Sequence, residues 1–194
     1  LGSDMESLER VYWLLEDTKR YGTLPFAGLA RAGFIAVQML RSLVSIGVFS
    51  QSDYDAFLSG ISTVSGRLAH DRSSMGKDDF LLKYGHLRPG TYDILSPRYD
   101  KSPELYFDWE SPSFPPEPSS PFSVTLPQMD EVTKLLESHE LEPNPVGLFD
   151  FLEAGIELRE YAKFQFTRNL SDILELIADF GNKHGIDRED MAFS

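Results

Sequence analysis

The sequence contains no cysteine and comparatively few basic residues. Its 194 residues include 18 Lys and Arg against 31 Asp and Glu, which gives a formal net charge of -13. The absence of cysteine excludes a disulfide scaffold and fits a reducing compartment. The negative charge disfavours broad binding to nucleic acid or to an anionic membrane surface, because both repel a protein of the same sign. We therefore expect neither a nucleic-acid partner nor a membrane partner.

Long apolar runs and targeting signals are also missing. The most apolar stretch, residues 26–49, is interrupted by Arg31, Gln38 and Arg41. It therefore falls short of the roughly 18 uninterrupted apolar residues that indicate a membrane span. The N-terminal residues show no charged segment followed by an apolar one, which is the pattern of a secretory signal. These absences predict a cytoplasmic protein.

Apolar residues recur at helical spacing through most of the chain, and no segment alternates like a strand for long. Capping residues, prolines and glycines set the expected ends of the helices. The predicted helices are Met5–Arg20, closed by Gly22; Leu24–Ile46, closed by Gly47; one from Ser50 or Ser52 through Leu68; Lys77–Tyr84; Gln128–His139; and Leu148–Phe180.

Proline is concentrated in one part of the sequence. Nine of the twelve prolines lie between Arg88 and Pro127, where no sustained period is visible. A structureless segment of this length inside a compact domain is functional or mobile. We expect an exposed proline-rich loop over residues 100–127, with Ser111 to Ser123 in solvent. The chain as a whole is predicted to be one all-α domain over residues 1–194, a helix bundle carrying this loop.

The last long helix carries two cations inside its apolar stripe. With about 100° per residue, Arg159 and Lys163 lie one turn apart on the face that holds Leu152, Ile156 and Phe166. Burying two cations is costly unless they are paired. The partner is either a protein carboxylate, such as Asp93 or Asp100, or the phosphate or carboxylate of a small anionic substrate.

The central helix and the tract after residue 83 hold further candidates. Arg31 lies in a polar stripe with Gln38, Arg41, Ser42 and Ser45, which is either the solvent face of the helix or the wall of a polar cavity. His86, Arg88, Tyr92 and Asp93 lie close together in sequence. His86 and Asp93 form either a general base with its orienting carboxylate or a pair of groups that bond the backbone and fix the loop.

Motifs for metal and nucleotide chemistry are absent from the sequence. His70-Asp71 fits a metal-dependent phosphohydrolase only if a histidine precedes it, and none does. There is no zinc spacing, no phosphate-binding glycine loop, no dinucleotide fingerprint and no nucleophile elbow. We therefore assign no metal ligand, no cofactor and no catalytic residue to this chain.

Three tracts resemble a known family. They are KYGHLRPGTYDILSPRYD (residues 83–100), YGTLPFAGLARAGFIAVQMLRSLVSIG (21–47) and ELREYAKFQFTRNLSDILELIADFGNKHGIDRED (157–190), and together they cover nearly half of the chain. In order and length they resemble the helical middle region of multidomain proteins related to phosphoenolpyruvate synthase and pyruvate phosphate dikinase. The Tyr-Gly-His core also resembles the acceptor-binding region of the rifampicin phosphotransferases.

This resemblance implies a parent protein with an ATP-grasp domain, a mobile phosphohistidine domain and a domain that binds the final acceptor. ATP and Mg²⁺ are implied for that parent, and the first two domains are the implied partners within the same polypeptide. This sequence contains no Gly-Gly and no phosphohistidine tract, so His86 is not expected to carry phosphate. The isolated chain is not expected to be a complete enzyme.

The expected function is therefore an acceptor-binding or interdomain module of a dikinase-like phosphotransferase. Arg159, Lys163, Arg88 and Arg31 would hold the anionic part of an acceptor or of the phosphohistidine, while His86 and Tyr92, with Asp93 nearby, orient it. The alternative is a structural linker domain with no ligand, whose buried cations are paired internally. A third hypothesis is a free-standing hydrolase that uses His86 and Asp93.

Overall fold

The protein is all-α, as predicted. The computed structural model describes the backbone of residues 2–111 and 122–192 and the side chains of residues 6–111 and 122–192, and this part of the chain contains no strand. The helices are α1 (Gly2–Asp17), α2 (Leu24–Ser45), α3 (Gln51–Gly60), α4 (Val64–Ser74), α5 (Lys77–Tyr84), α6 (Pro103–Tyr106), α7 (Leu126–Ser138), α8 (Pro145–Lys183) and α9 (Arg188–Met191).

A π-helical segment, Thr18–Thr23, joins α1 to α2 without a break. The prediction that Gly22 closes the first helix is therefore wrong. Gly22 serves close packing instead, because a Cβ at this position would lie 2.7 Å from the Cβ of Phe166. Gly47, by contrast, ends α2 as predicted, with a φ of 82° that favours glycine.

By length and composition, the helical stretch Glu6–Ser45 is the one candidate membrane span among the described residues. Its most apolar window has a mean hydropathy of 1.3 and is 17% buried within the protein. Core helices of soluble proteins and signal sequences meet the same criterion, so the stretch does not by itself indicate a membrane. The predicted absence of a membrane partner stays a prediction.

The chain divides into two compact units, and the prediction of one domain over residues 1–194 stays a prediction. The first unit comprises Leu1–Phe26, Ser65–Pro116 and Ala162–Ser194, and the second comprises Ala27–Val64 and Glu117–Tyr161. Each unit has its own buried side chains.

The second unit is built around an apolar core from α2, α3, α7 and α8. The core comprises Ala36, Leu40, Leu43, Phe49, Phe57, Ile61, Val132, Leu136 and Leu152. Side-chain capping boxes begin two of these helices, Ser50 with Asp53 at α3 and Thr125 with Gln128 at α7. Helix α3 ends at Gly60 because Ile61 is extended, so the single helix predicted from Ser50 through Leu68 is two helices.

Aromatic side chains dominate the core of the first unit. Phe80 and Tyr84, one turn apart on α5, are 0% and 1% exposed. The Phe80 ring centroid lies 5.1 Å from that of Phe107 and 5.7 Å from that of Trp109. Phe107 and Trp109 follow α6 and are half-buried.

The predicted exposed loop over residues 100–127 is therefore corrected in part. It contains α6 and the start of α7, and Phe107 and Trp109 anchor it on α5. Residues 112–121 lie outside the described residues, whereas Ser111 and Ser123 are exposed as predicted. Phe122 is half-buried because its ring packs 5.4 Å from Phe49 and 5.6 Å from Phe57.

Candidate functional site

Residues 83–100, hereafter the 83–100 tract, form a closed loop that packs on α8 in the first unit. Its two ends meet through backbone hydrogen bonds, in which the Tyr99 N–H donates to the Leu87 carbonyl (2.9 Å) and the Asp100 N–H donates to the Gly85 carbonyl (3.1 Å). Gly85 permits this closure, because a Cβ there would lie 2.8 Å from the Cβ of Asp100. The tract is thus an ordered structural element.

Arg88 is the buried centre of the tract and is 5% exposed. Its Nη1 donates to the carbonyls of Asp93 (3.2 Å) and Ser96 (3.1 Å). Its Nη2 donates to Ser171 Oγ (3.1 Å), to the Ser171 carbonyl (3.3 Å) and to Glu175 Oε1 (3.0 Å). Burial lowers the pKa of Arg88, while the Glu175 carboxylate opposes this shift. The two terminal nitrogens therefore have protein acceptors and do not need an external anion.

Further ion pairs surround Arg88. Glu175 also accepts from Arg188 Nη2 at 2.8 Å. Although burial raises the pKa of the Glu175 carboxyl, Arg188 and Arg88 together hold it below its ordinary value. Arg98 lies 2.6 Å from Asp172 and 2.7 Å from Asp100 through its two terminal nitrogens. Pairing of a cation with protein carboxylates, one of the two alternatives considered for Arg159 and Lys163, thus occurs instead at the buried Arg88 and the half-buried Arg98.

Sequence reasoning missed the acceptors on α8. Ser171, Asp172 and Glu175 lie on one side of the helix, one turn apart or adjacent, and face the tract through their hydrogen bonds. They lie 74 to 87 positions from Arg88 and Arg98, the arginines of the tract that they contact. The spacing of these three polar residues along α8 could have indicated a shared polar side of the helix. Many surface helices show the same spacing, so it does not identify a contact.

His86 is buried, with 4% of its surface exposed. Its Nε2 lies 3.2 Å from the Phe164 carbonyl, and its Nδ1 is buried without a hydrogen-bond partner. Burial, reinforced by the nearby Arg168 charge, lowers the pKa of His86 to about 4. The imidazole is therefore neutral at pH 7, with Nε2 donating to the carbonyl.

Of the two alternatives for His86 and Asp93, the contacts agree with the one in which both groups bond the backbone, and not with a paired base and carboxylate. Asp93 is exposed and its Oδ1 accepts from the Leu95 N–H at 2.9 Å, as expected for a carboxylate that fixes a turn. Within the described part of the chain no hydrogen bond joins the two side chains. Tyr92 is 64% exposed at the tip of the tract and does not lie beside the buried imidazole. The geometry removes the basis for a hydrolase that uses His86 and Asp93.

Lys163 is exposed, so the prediction that it is buried is wrong. In this part of α8 two separate sides are buried, one with Phe166 and Ile173 and the other with Thr167 and Ser171. Lys163 falls between them at about 100° per residue. Thr167 and Ser171 are polar residues at buried positions, which a search for apolar spacing does not register.

Arg159 is half-buried in the second unit. Gly33 makes room for its aliphatic stem, since a Cβ at Gly33 would lie 2.9 Å from Arg159 Cδ. The guanidinium carbon lies 4.8 Å from the centroid of the Phe34 ring, and Nε is buried without a hydrogen-bond partner. An aromatic face, rather than a carboxylate, thus contacts this cation.

Arg31 and the rest of its polar stripe are exposed, which confirms the solvent-face alternative.

A pocket of about 370 Å³ lies in the first unit against the π-helical segment. Thr18, Tyr21, Gln165 and Asn169 contribute polar atoms to its wall, and Phe166 contributes apolar surface. None of the predicted site residues lines it.

Within residues 6–111 and 122–192, no group of three His, Asp or Glu side chains is arranged to hold a metal ion.

Ser171 connects Arg88 with His86, because its Oγ accepts from Arg88 Nη2 and donates to the His86 carbonyl at 2.6 Å. By contrast, Tyr92, Asp93, Lys163 and Arg31 are exposed, and Arg159 stacks on an aromatic ring in the other unit. Comparisons of this chain with protein-family models, with curated proteins and with solved structures found no match.

Proposed function

We propose that this chain is an interdomain helical module of a dikinase-like phosphotransferase. In that parent, ATP and Mg²⁺ are used by an ATP-grasp domain, and a phosphohistidine domain carries the phosphoryl group. The module itself supplies no catalytic residue. Its surroundings in such a protein are cytoplasmic.

One observation favours an interdomain role over ligand binding by the 83–100 tract. Arg88, the most buried cation of the predicted site, already donates to two loop carbonyls, to Ser171 and to Glu175. An external anion would have to displace these acceptors. The hydrogen bonds of Arg88 therefore have a structural role, because they hold the 83–100 tract on α8.

Such a module has a physical use in phosphoryl transfer. Catalysis of this reaction depends mainly on positioning the donor and the acceptor and on stabilising charge. Within the first unit, helix α8 contributes to such positioning, because Ser171, Asp172 and Glu175 accept hydrogen bonds from Arg88 and Arg98 and hold the 83–100 tract in place.

The coding sequence that flanks this chain provides the first test. The proposal expects an ATP-grasp domain and a phosphohistidine domain in the same open reading frame. The second test is reconstitution, in which those domains transfer the phosphoryl group from ATP with and without this chain. Faster or more complete transfer in its presence supports the interdomain role. A reading frame that encodes neither domain contradicts it.

A second candidate function is acceptor binding at Arg159. The observation that favours it is that the Arg159 guanidinium stacks on Phe34 while its own Nε is buried without a hydrogen-bond partner. Isothermal titration with phosphoenolpyruvate, pyruvate and a sugar phosphate tests this function. Binding that Arg159→Ala abolishes and the exposed-site control Lys134→Ala leaves intact supports it. Equal heats for the two variants exclude it.

A further inference from the structure

The exposed side of α2 in the second unit is a continuous surface of unusual composition. It comprises Ala27, Gly28, Arg31, Phe34, Ile35, Gln38, Arg41, Ser42 and Ser45, all exposed, and is called the α2 face below. Their spacing of three and four residues places them on one side of the helix, opposite the buried Ala36, Leu40 and Leu43.

Two large apolar side chains lie at the middle of the α2 face. Phe34 is 63% exposed and Ile35 is 52% exposed. They are adjacent in sequence and lie one turn after Arg31. A contiguous apolar patch with a polar rim is typical of a protein interaction site, whereas an isolated exposed residue is not.

The rim of the α2 face is positively charged, in contrast to the rest of the molecule. Helix α2, Leu24–Ser45, contains no Asp or Glu, although the chain contains 31. Arg31 and Arg41 are exposed, and within the described residues neither forms an ion pair. The Arg159 guanidinium lies over the Phe34 ring at 4.8 Å. Three cations therefore surround the apolar pair.

This charge distribution discriminates between the possible occupants. Antiparallel pairing of the α2 face with that of a second copy would bring arginines of the two copies together, which is unfavourable. Insertion into a lipid bilayer would bury Gln38, Ser42 and Ser45, which share the face, and the net charge of -13 opposes approach to anionic lipid. An acidic protein surface meets neither obstacle.

We propose that the α2 face docks a protein segment whose apolar side chains are flanked by carboxylates. The apolar side chains would cover Phe34 and Ile35, and the carboxylates would pair with Arg31, Arg41 and Arg159. Arg31 and Arg41 are about 15 Å apart along the helix axis, which corresponds to about ten residues of a helical partner, and carboxylates about eleven residues apart return to one face of that partner after three turns. This inference rests on the proposed interdomain role but not on the identity of the parent enzyme.

The test uses the full chain and two synthetic helical peptides. Both carry leucines along one face. One carries glutamates about eleven residues apart beside the leucines, and the other carries lysines at the same positions. Fluorescence anisotropy of the labelled peptides measures binding at low and high salt. The wild type is expected to bind the acidic peptide about tenfold more tightly than the basic one, with the difference falling as salt rises.

Charge reversals locate the site. Arg31→Glu and Arg41→Glu are each expected to weaken binding of the acidic peptide about tenfold, and Phe34→Ser is expected to weaken it by a similar factor. Lys134→Glu is the matched control, because Lys134 is an exposed cation on α7 in the same unit. It is expected to change binding less than about twofold. Circular dichroism checks that each exposed-site variant remains folded.

Several outcomes would overturn the inference. Equal binding of the two peptides, or an equal loss in Lys134→Glu, would show that the α2 face is not the site. Self-association of the wild type that Phe34→Ser abolishes would assign the face to a second copy, and tight binding to anionic vesicles would assign it to lipid. If the flanking reading frame encodes the expected domains while the acidic peptide fails to bind, the docking surface is wrong and the proposed function stands.

Discussion

Arg88 illustrates how an acidic, cysteine-free chain accommodates a buried guanidinium. Its Nη1 donates to carbonyls of its own loop, and its Nη2 donates to acceptors on α8. These hydrogen bonds from a charged donor offset the free-energy cost of burying the guanidinium. Only Nε lacks a partner. The same side chain joins two segments that are far apart in sequence.

Replacing Arg88 with methionine is expected to destabilise the protein by about 2–4 kcal/mol, because it leaves buried carbonyls without donors and removes one of the two partners of Glu175. Urea unfolding of the wild type and the variant measures the difference. Lys101→Met is the control for loss of a positive charge at an exposed position, and it is expected to stay within about 0.5 kcal/mol. Equal effects of the two substitutions would contradict the structural role of Arg88.

His86 gives the stability a specific dependence on pH. Its pKa is lowered from 6.5 to about 4 in the folded state, so between these values the unfolded state binds more protons than the native state. The free energy of unfolding therefore falls as pH is lowered through this window, by about 3 kcal/mol for this group.

The matched variant is His86→Gln, which removes the titrating group. Carboxylates with lowered pKa values, such as Glu175, also reduce stability in acid, but they contribute equally to both proteins. The difference between the free energies of unfolding of wild type and variant is expected to shift by about 3 kcal/mol between pH 7 and pH 4, to the disadvantage of the wild type. A constant difference would show that the imidazole titrates normally.

The candidate site was only partly predictable at this scale. Arg88 and His86 were identified because charged and titratable groups are dense in a short tract. Their partners Ser171 and Glu175 were not, because contacts across more than 80 residues leave no local pattern. Lys163 was misplaced because a position inside an apolar stripe was taken to be buried along the whole helix, whereas Lys163 is exposed between buried positions on either side of it.

At the scale of elements, glycines set how closely α2 and α8 approach within the second unit. A Cβ at Gly33 would lie 2.9 Å from the Gly155 carbonyl oxygen, and a Cβ at Gly155 would lie 3.3 Å from that of Ala32. Backbone atoms cannot move aside as the end of a flexible side chain can. The crossing of the two helices therefore depends on a missing side chain at each position.

Gly33→Ala is accordingly expected to destabilise the protein by about 1–3 kcal/mol through overpacking. Gly28→Ala on the same helix is the matched control, since its Cβ would have no neighbour within 4 Å. That substitution is expected to stabilise the protein by about 0.5–1 kcal/mol, because alanine has the higher helix propensity. Thermal unfolding of both variants checks the opposite signs, and a stabilised Gly33→Ala would contradict the close crossing.

Helices were more predictable than their ends. Lys77–Tyr84 was predicted with its observed bounds, because Gly85 directly after it indicates where the helix stops. The break after Gly60 was missed, since apolar spacing continues past Ile61. Gly22 was interpreted as a terminator when its role is tertiary, and α8 begins at Pro145, a position that a proline occupies readily in a first turn. The sequence signals that begin or end a helix are local, whereas close packing depends on residues that are far apart in the sequence.

At the scale of the whole molecule, the division into two compact units gives a specific expectation. Helix α8 contributes residues up to Tyr161 to one unit and residues from Ala162 to the other. The core of the second unit contains Leu40, which is 0% exposed. Truncating this side chain removes contacts made within that unit alone.

Leu40→Ala is therefore expected to lower the free energy of opening by about 2–5 kcal/mol for amides of residues 27–64 and 122–161, through lost apolar burial and a cavity. Amides of residues 65–111 and 162–192 are expected to change less, because stability is a local property where cores are separate. Native-state hydrogen exchange read by mass spectrometry resolves the two sets. Ile173→Ala, which truncates a buried side chain of the first unit, is expected to give the reverse pattern. A uniform loss of protection in both variants would mean that the two cores unfold as one cooperative unit, because each substitution would then lower the same global free energy.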